Sequence, residues 1–388
     1  MPGVVIAGGG LAAQRCAETL RRVGYERSVA IVCGEPHRPY DRPPLSKEVL
    51  LDADADEGVP LRAADWYEGK AVELLLGARA SGFDAAAHRL RLEDGSELEY
   101  EHLVVATGAK PRLLPAFAGR TNVSTLRTFE DAQRLRDLLA ARARLLIIGA
   151  GFIGQEVAAA ARAAGTDVAI VEAERLPLVG LLGELIGGWF AELHRREGVE
   201  LLLETTVEEI HGEETVEAVT LSDGRRLACD HVLVGIGVRP DLAWVEGSGL
   251  PTDGIPTDAA GRTSLPGVYA AGDAAAFHDP YLERHALTGH WEAAGRQGAA
   301  VANAIAGTAP GPPALSSFWS DQYGTRIQYL GHAHLADEVA IDGDPGARDF
   351  VAVYRRAGTP IAALIVGRPR AVAEWRDRLS HLTERTAA

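Results

Sequence analysis

Fully apolar runs of four or five residues alternate with helix-length amphipathic stretches over most of this chain. VVIA at 4–7 leads into LAAQRCAETLRRVG and then VAIVCGE. Further on, LLII at 145–148 leads into GAGFIGQEVAAAARAAG and then VAIVEAE. Strands this short and apolar, separated by helical spacing, predict a parallel sheet buried under helices. Each unit continues to a hairpin around an Asp-Gly pair, Asp94-Gly95 and Asp223-Gly224, a favoured tight-turn dipeptide. Each then reaches another apolar strand, LVVATGAKPR or VLVGIGVRP. The chain is therefore an internal repeat. The interval from Glu35 to Asp94 is 8 residues longer than that from Glu172 to Asp223. The longer stretch holds HRPYDRPPLSKEVL, which has no counterpart in the second copy and reads as a segment added for the first copy's own ligand.

After the second copy, TSLPGVYAAGDAAAFHDP predicts one more apolar strand, a Gly-Asp turn and then helix. From about Phe318 the pattern changes to short alternating segments, RIQYLGHA, EVAIDG, DFVAVYRRAG and PIAALIVGRP, as in a small antiparallel sheet. AVAEWRDRLSHL has the three-and-four spacing of a closing helix.

Both repeats open on a Gly-rich turn between strand and helix. Gly8, Gly10 and Ala13 make GxGxxA, and Gly149, Gly151 and Gly154 make GxGxxG. The first glycine permits the turn, the second lets backbone approach a pyrophosphate, and the third position allows helix and strand to pack closely. The helix start then offers free amides and partial positive charge to phosphates. An acid ends the second strand of each copy, Glu35 and Glu172, where a carboxylate accepts ribose hydroxyls. Glu172 repels a 2′-phosphate and so favours NADH over NADPH, although Arg175 three residues on softens that preference. The fold class expected is α/β, with two Rossmann-like nucleotide-binding domains and a small α+β C-terminal domain.

Composition changes this picture little, but charge narrows the partners. Hydrophobic residues at 47% and charged residues at 24% fit a globular chain long enough for several cores. A net charge of −15 argues against nucleic acid, which wants a basic field. No apolar run approaches a membrane span, and a strand starting almost at Met1 leaves no signal peptide expected. Cys16, Cys33 and Cys229 are too scattered for a disulfide framework or metal cluster, and no HExxH occurs among the twelve histidines. A reducing, cytoplasmic setting and no metal are expected.

The order of GGG, PYDRPPLSK, ATGAKPR, GAGFIGQE, VGIGVRPD, YAAGDAA, HWEAAGRQG and FWSDQYG resembles the bacterial ferredoxin reductases that serve Rieske oxygenases and cytochromes P450, which are glutathione-reductase-like flavoproteins. The likeness covers essentially the whole chain. It implies an FAD-binding domain at 1–112 and 242–317, an NAD-binding domain at 113–241 and a C-terminal domain at 318–388. It implies that Gly8, Gly10, Leu11, Ala12 and Glu35 bind the adenosine half of FAD, with Arg42 near the phosphates and Lys47 near flavin N5. Thr107 and Gly108 fall beside the pyrophosphate. Arg127 joins the cofactor-binding residues, and Asp273 meets the ribityl region from a helix N-terminus. Trp291 and Trp319 match positions near the isoalloxazine ring; Gly149, Gly151, Ile153, Gly154, Glu156 and Glu172 serve NAD, with Gly237 near the nicotinamide entrance. The run ALTG before His290 departs from the family pattern.

Hydride transfer from NADH to FAD needs no protein nucleophile, because the cofactors carry the chemistry. Lys47 and Glu156 are the candidate catalytic pair, approaching each other near the flavin as the resemblance implies. Relatives that reduce disulfides place cysteines where this chain has Arg42-Pro43-Pro44-Leu45-Ser46-Lys47, so a thiol mechanism is not expected. The expected acceptor is a small iron–sulfur ferredoxin serving an oxygenase, with Arg284, Arg296, Arg326 and Arg368 as a candidate docking face on a monomer or homodimer. A rubredoxin reductase, an NADH oxidase or an NADH-responsive sensor of the same fold are the alternatives.

Overall fold

The computed structural model describes residues 3–52, 55, 58–279, 281–309, 311 and 315–384. Two five-stranded parallel sheets correspond to the two sequence repeats. The first has the order Val268–Ala270, His102–Val105, Val4–Ala7, Val29–Cys33, Val72–Leu76. The second runs Val123–Ser124, His231–Val234, Leu145–Ile148, Val168–Val171, Glu200–Leu202. The orders match, with one difference at the edge. The second sheet takes its edge strand from just before the repeat, the first from more than 160 residues past its His102–Val105 neighbour.

Alternation along the central strands explains why these runs are apolar throughout. Val4 and Ile6 pack against the Leu11–Arg22 helix, while Val5 and Ala7 pack against the antiparallel meander of Phe83, Leu90 and Leu92. In the second sheet Leu145 and Ile147 face Val157 and Ala158 of the Phe152–Ala163 helix, and Leu146 and Ile148 face Val219 and Leu221 of its meander. Burying each such large side chain contributes roughly 1.5–3 kcal/mol. The meanders turn at Asp94-Gly95 and Asp223-Gly224, where each Asp side chain accepts the amide two residues on.

The C-terminal region is a five-stranded antiparallel sheet in the order Ser317–Gln322, Thr325–Gly331, Thr359–Val366, Asp349–Arg356, Glu338–Asp344. Its first strand lies before the four alternating segments legible in the sequence. One face carries Phe318, Tyr329 and Phe350 onto Leu182, Ile186 and Phe190 of the Val179–Arg196 helix; the other covers Trp375 and Leu379. The sheet is thus bolted to the second nucleotide unit.

One expectation is corrected. After the Gly272–Ala274 turn comes a strand, Ala275–Asp279, instead of a helix. It pairs with Ile255–Thr257 on one side and Arg284–Leu287 on the other, and Ala274, Ala275 and Phe277 enter the first sheet's core. Tertiary pairing overrides the helix propensity of three alanines. Asp273 therefore sits in a single 3₁₀ turn, not at an α-helix N-terminus. The helix starts at Trp291, beyond the ALTG run. Among the described residues no helix is long and apolar enough to cross a membrane.

Candidate functional site

Both Gly-rich turns have the backbone their sequences demand. Gly8 and Gly149 stand at φ 127° and 103°; a Cβ on Gly8 would lie 2.1 Å from the Ala106 carbonyl oxygen, and one on Gly149 2.7 Å from that of Gly235. The following helices begin at Gly10 and Gly151 with no side-chain cap, so their first amides are left for another acceptor. At the third position, a Cβ on Gly154 would come 2.3 Å from the Gly149 oxygen, so that helix sits closer to its strand than alanine allows.

The two acids are held differently. Glu35 accepts from Tyr40 Oη at 2.6 Å and from Arg42 Nη2 at 2.7 Å, both from the segment special to the first copy. Glu172 is held by backbone, accepting from Ala150 N–H at 2.6 Å and Glu174 N–H at 2.9 Å. Arg175, the cation expected to soften the choice against a 2′-phosphate, is paired with Glu184 at 2.5 Å.

A cavity of about 1280 Å³, counting its open mouth, lies between the two units. The helix after the first turn brings Leu11 and Ala12 to it, and the helix after the second brings Phe152, Ile153 and Glu156. Arg42, Arg127 and Asp273 form one wall; Trp291 and Trp319 line it from the Trp291–Ile305 helix and the C-terminal sheet. Arg127 Nη2 meets Asp273 at 3.0 Å, and Arg42 Nη1 donates to the Arg127 carbonyl at 2.6 Å. Burial, and then the neighbouring Arg42 charge, pull the Arg127 guanidinium below its ordinary pKa; Asp273 opposes them. Around Gly10 there is open space, with no atom within 4 Å of where a Cβ would stand. Two fork-shaped cations beside that space and an uncapped helix start form a donor set that fits a dinucleotide diphosphate.

At the junction of the two units Lys47 Nζ meets Glu156 Oε2 at 2.7 Å, with side chains only 11% and 6% exposed. Lys47 follows the 3₁₀ turn Pro43–Ser46, and Glu156 comes from the Phe152–Ala163 helix. Ser46 Oγ donates to Glu156 Oε2 at 2.5 Å, Ser320 Oγ to Oε1 at 2.7 Å, and Lys47 also reaches the Pro43 carbonyl at 3.0 Å. At the rim the Trp291 and Trp319 rings meet edge to face, 5.4 Å between centroids. Trp291 Nε1 donates to Asp41 at 2.5 Å, and the Arg326 guanidinium lies 5.4 Å over Trp319.

The structure thus gathers Gly10, Leu11, Ala12, Arg42, Lys47, Gly108, Arg127, Ile153, Glu156, Asp273, Trp291 and Trp319 around one cavity. Gly8, Gly149 and Gly151 stand in the two turns, Gly154 in the first turn of the second helix, and Glu35 and Glu172 just past the adjoining strands. Thr107 faces away, donating to the Asp241 carbonyl at 2.8 Å, and Gly237 is exposed, its carbonyl accepting from Arg112 N–H. Tyr40, Asp41, Ser46 and Ser320 carry contacts that sequence reasoning did not assign. All four lie inside PYDRPPLSK or FWSDQYG, so the motifs were the available signal. Of the four arginines suggested for docking, Arg296, Arg326 and Arg368 each pair with a carboxylate. The three cysteines are buried away from the cavity. Burial pushes Cys16 and Cys33 up to about 12, with Glu35 adding to the latter, and Cys229 to about 11.

Comparison with known proteins agrees with this architecture. The pyridine nucleotide-disulphide oxidoreductase family matches residues 2–298, and the reductase C-terminal domain matches 317–388. The chain belongs to the pyridine nucleotide-disulphide oxidoreductase family, flavoprotein oxidoreductases that use FAD and NAD(H). More particularly, it is 36% identical over 369 residues to the ferredoxin–NAD(+) reductase subunit of the benzene 1,2-dioxygenase system of Pseudomonas putida, covering 95% of this chain and 90% of that one. It is 35% identical to the ferredoxin–NAD(+) reductase component of the anthranilate 1,2-dioxygenase system of Burkholderia cepacia, over 89% and 86% of the two chains. A chain of the crystal structure of the covalent putidaredoxin reductase–putidaredoxin complex superimposes with a TM-score of 0.93 at 32% identity, covering 99% of this chain and 93% of that one.

Proposed function

We propose that this protein is an NADH-dependent ferredoxin reductase. It passes electrons from NADH, whose pyrophosphate the second Gly-rich turn would receive, to a small iron–sulfur ferredoxin serving an oxygenase such as a cytochrome P450 or Rieske enzyme, with FAD as the intermediate carrier that the first turn would hold. The observation that carries the reading is the buried Lys47–Glu156 pair at 2.7 Å, in a cavity reached by the helices of both turns. Bound FAD supplies the conversion between a two-electron hydride donor and a one-electron acceptor. Gly10, Leu11, Ala12, Arg42, Arg127 and Asp273 would hold it, with Glu35 fixing Arg42 in place. Lys47 keeps a cation where negative charge accumulates. Glu156, oriented by Ser46 and Ser320, balances that cation and helps place the nicotinamide. Phe152, Phe318, Leu45 and Leu126 give the cavity an apolar lining. Trp291 and Trp319 form the rim over which an acceptor approaches, with Arg326 beside them. Glu172, with Arg175 neutralised by Glu184, selects NADH over NADPH. The same reading assigns 1–112 and 242–317 to FAD, 113–241 to NAD and 318–388 to the C-terminal domain, in keeping with the edge strand Val268–Ala270 joining the first sheet.

The test is an absorbance scan of the purified protein before and after anaerobic NADH, followed by turnover with ferredoxin, rubredoxin or oxygen. Flavin bands that bleach, with fastest turnover on ferredoxin, are expected. Bands that persist under NADH refute the reading, and preference for oxygen or rubredoxin moves it to another member of the fold.

A further inference from the structure

A second string of polar groups, buried at its centre, reaches the second Gly-rich turn from behind. It begins at Tyr323, at the tip of the hairpin joining Ser317–Gln322 to Thr325–Gly331. Tyr323 and Gly324 make a two-residue loop with φ of 50° and 71°. Both residues being left-handed defines a type I′ turn, whose first place favours Asn, Asp or Gly. A bulky tyrosine is strained there, and its side chain makes contacts that glycine or asparagine would not. Its hydroxyl lies 2.7 Å from His194 Nδ1, and the two rings meet edge to face at 5.3 Å.

His194 is fully buried, and burial lowers its pKa to about 4, so the imidazole is neutral and carries one N–H. The neighbours decide which nitrogen bears it. Gln155 Nε2 donates to the Ala150 carbonyl at 2.8 Å, which turns Gln155 Oε1 toward His194 Nε2 at 3.0 Å. Two acceptors cannot face each other there, so Nε2 carries the proton and Nδ1 accepts from Tyr323. Ala150 N–H in turn donates to Glu172. Every donor from Tyr323 through His194, Gln155 and Ala150 to Glu172 therefore points the same way.

The first repeat supplies the control. Gln14 occupies the position of Gln155, but Tyr67 holds its carbonyl at 2.7 Å and its amide donates to Glu18 at 3.0 Å. Among the described residues its side chain makes no such bond to its own Gly-rich turn. Among the described residues only the second turn is braced from the C-terminal sheet, whose Ser320 also holds the adjacent Glu156.

We infer that Tyr323, His194 and Gln155 are positioning residues for NAD(H): the C-terminal sheet sets the backbone of the second Gly-rich turn and, through Ala150, the carboxylate of Glu172. This rests on reading that turn as the NADH site. Tyr323→Phe removes one hydroxyl and keeps the ring. On the FAD-loaded protein, calorimetry with NAD+ should show Kd rising about fivefold, the usual scale for one lost hydrogen bond. KM for NADH should rise in parallel while kcat falls less than twofold and FAD content holds. In a His194→Leu background, or in Gln155→Met if that variant does not fold, Tyr323→Phe should add nothing further. An unchanged Kd in Tyr323→Phe, with or without a lower melting midpoint, overturns the inference, as does full additivity in the double variant. Wild-type protein that neither binds NAD+ nor bleaches with NADH overturns the parent reading instead, before any variant is compared.

Discussion

Removing the Lys47–Glu156 pair one partner at a time separates its stabilising role from its chemical one. Glu156→Leu leaves the Lys47 ammonium buried with the Pro43 carbonyl and the Ser46 hydroxyl as partners. Loss of one member of a buried pair costs about 3–5 kcal/mol. Lys47→Met is milder, roughly 1–3 kcal/mol, because Ser46 and Ser320 still donate to Glu156. The double variant Lys47→Met/Glu156→Leu replaces both charges with apolar groups of similar volume and should recover most of the loss. Its reduction by NADH should not recover. Withdrawing a preorganised charge from a site where charge develops slows such steps by about 10²-fold or more, so the double variant should be as slow as the slower single. Urea unfolding followed by tryptophan fluorescence reads the first quantity, and anaerobic stopped-flow absorbance with NADH the second. If the stability losses of the singles simply add in the double, the two groups are not coupled. If any of the three variants is reduced at the wild-type rate, the pair does not serve hydride transfer.

Three other outcomes follow from the same geometry. Burial lowers His194 and His231 from 6.5 to about 4 each; the unfolded chain binds protons in that interval while the fold does not, so stability is full above 6.5 and falls as pH drops toward 4, by roughly 3 kcal/mol per histidine. Urea midpoints taken from pH 7 to 4.5 should show this, with a shallower slope in His231→Gln; an unchanged slope rules out His231 as a contributor. Glu184→Gln releases Arg175 and should raise kcat/KM for NADPH several-fold with little change for NADH; no gain means Arg175 lies out of reach of the 2′-phosphate. Arg326→Glu and Arg376→Glu, at a groove the two residues share beside Trp319, should raise KM for ferredoxin and flatten its salt dependence; an unchanged KM removes this groove from the docking face.

What was legible in the sequence is what is local. A Gly-rich turn, an acid at a strand end and an Asp-Gly hairpin each depend on residues within a few positions, and all stand where the pattern put them. The alternating C-terminal segments became a sheet for the same reason. The Ala275–Asp279 strand was misread because three alanines carry no mark of the partners at Ile255–Thr257 and Arg284–Leu287 that hold them extended. The Ser317–Gln322 strand was hidden by its turn, since Tyr323-Gly324 is not a pair that hairpin chemistry favours. Side-chain partners were the least legible. Ser46 is 110 residues from Glu156, Ser320 is 164 from it, and Asp41 is 250 from Trp291. No local pattern encodes which hydroxyl will meet which carboxylate across such intervals.

The two repeats share a plan but not a way of fixing their acids, and the difference matches the lifetimes of their proposed ligands. Glu35 is held by Tyr40 and Arg42, and Arg42 continues through the Arg127 carbonyl to Asp273. That network draws on the added segment, the start of the second unit and a turn far down the chain. A ligand seated against that wall meets three separate segments at once, which suits a cofactor that stays. Glu172 is fixed by amides of its own turn and of the residue two places on. Both donors lie within the second unit, which suits a dinucleotide that enters and leaves. The bracing from Tyr323 acts from behind the turn, so it stiffens the second site without closing it. On the proposed reading, then, one copy of the plan holds its nucleotide beside a wall drawn from three segments, and the other receives its nucleotide at a turn braced from behind.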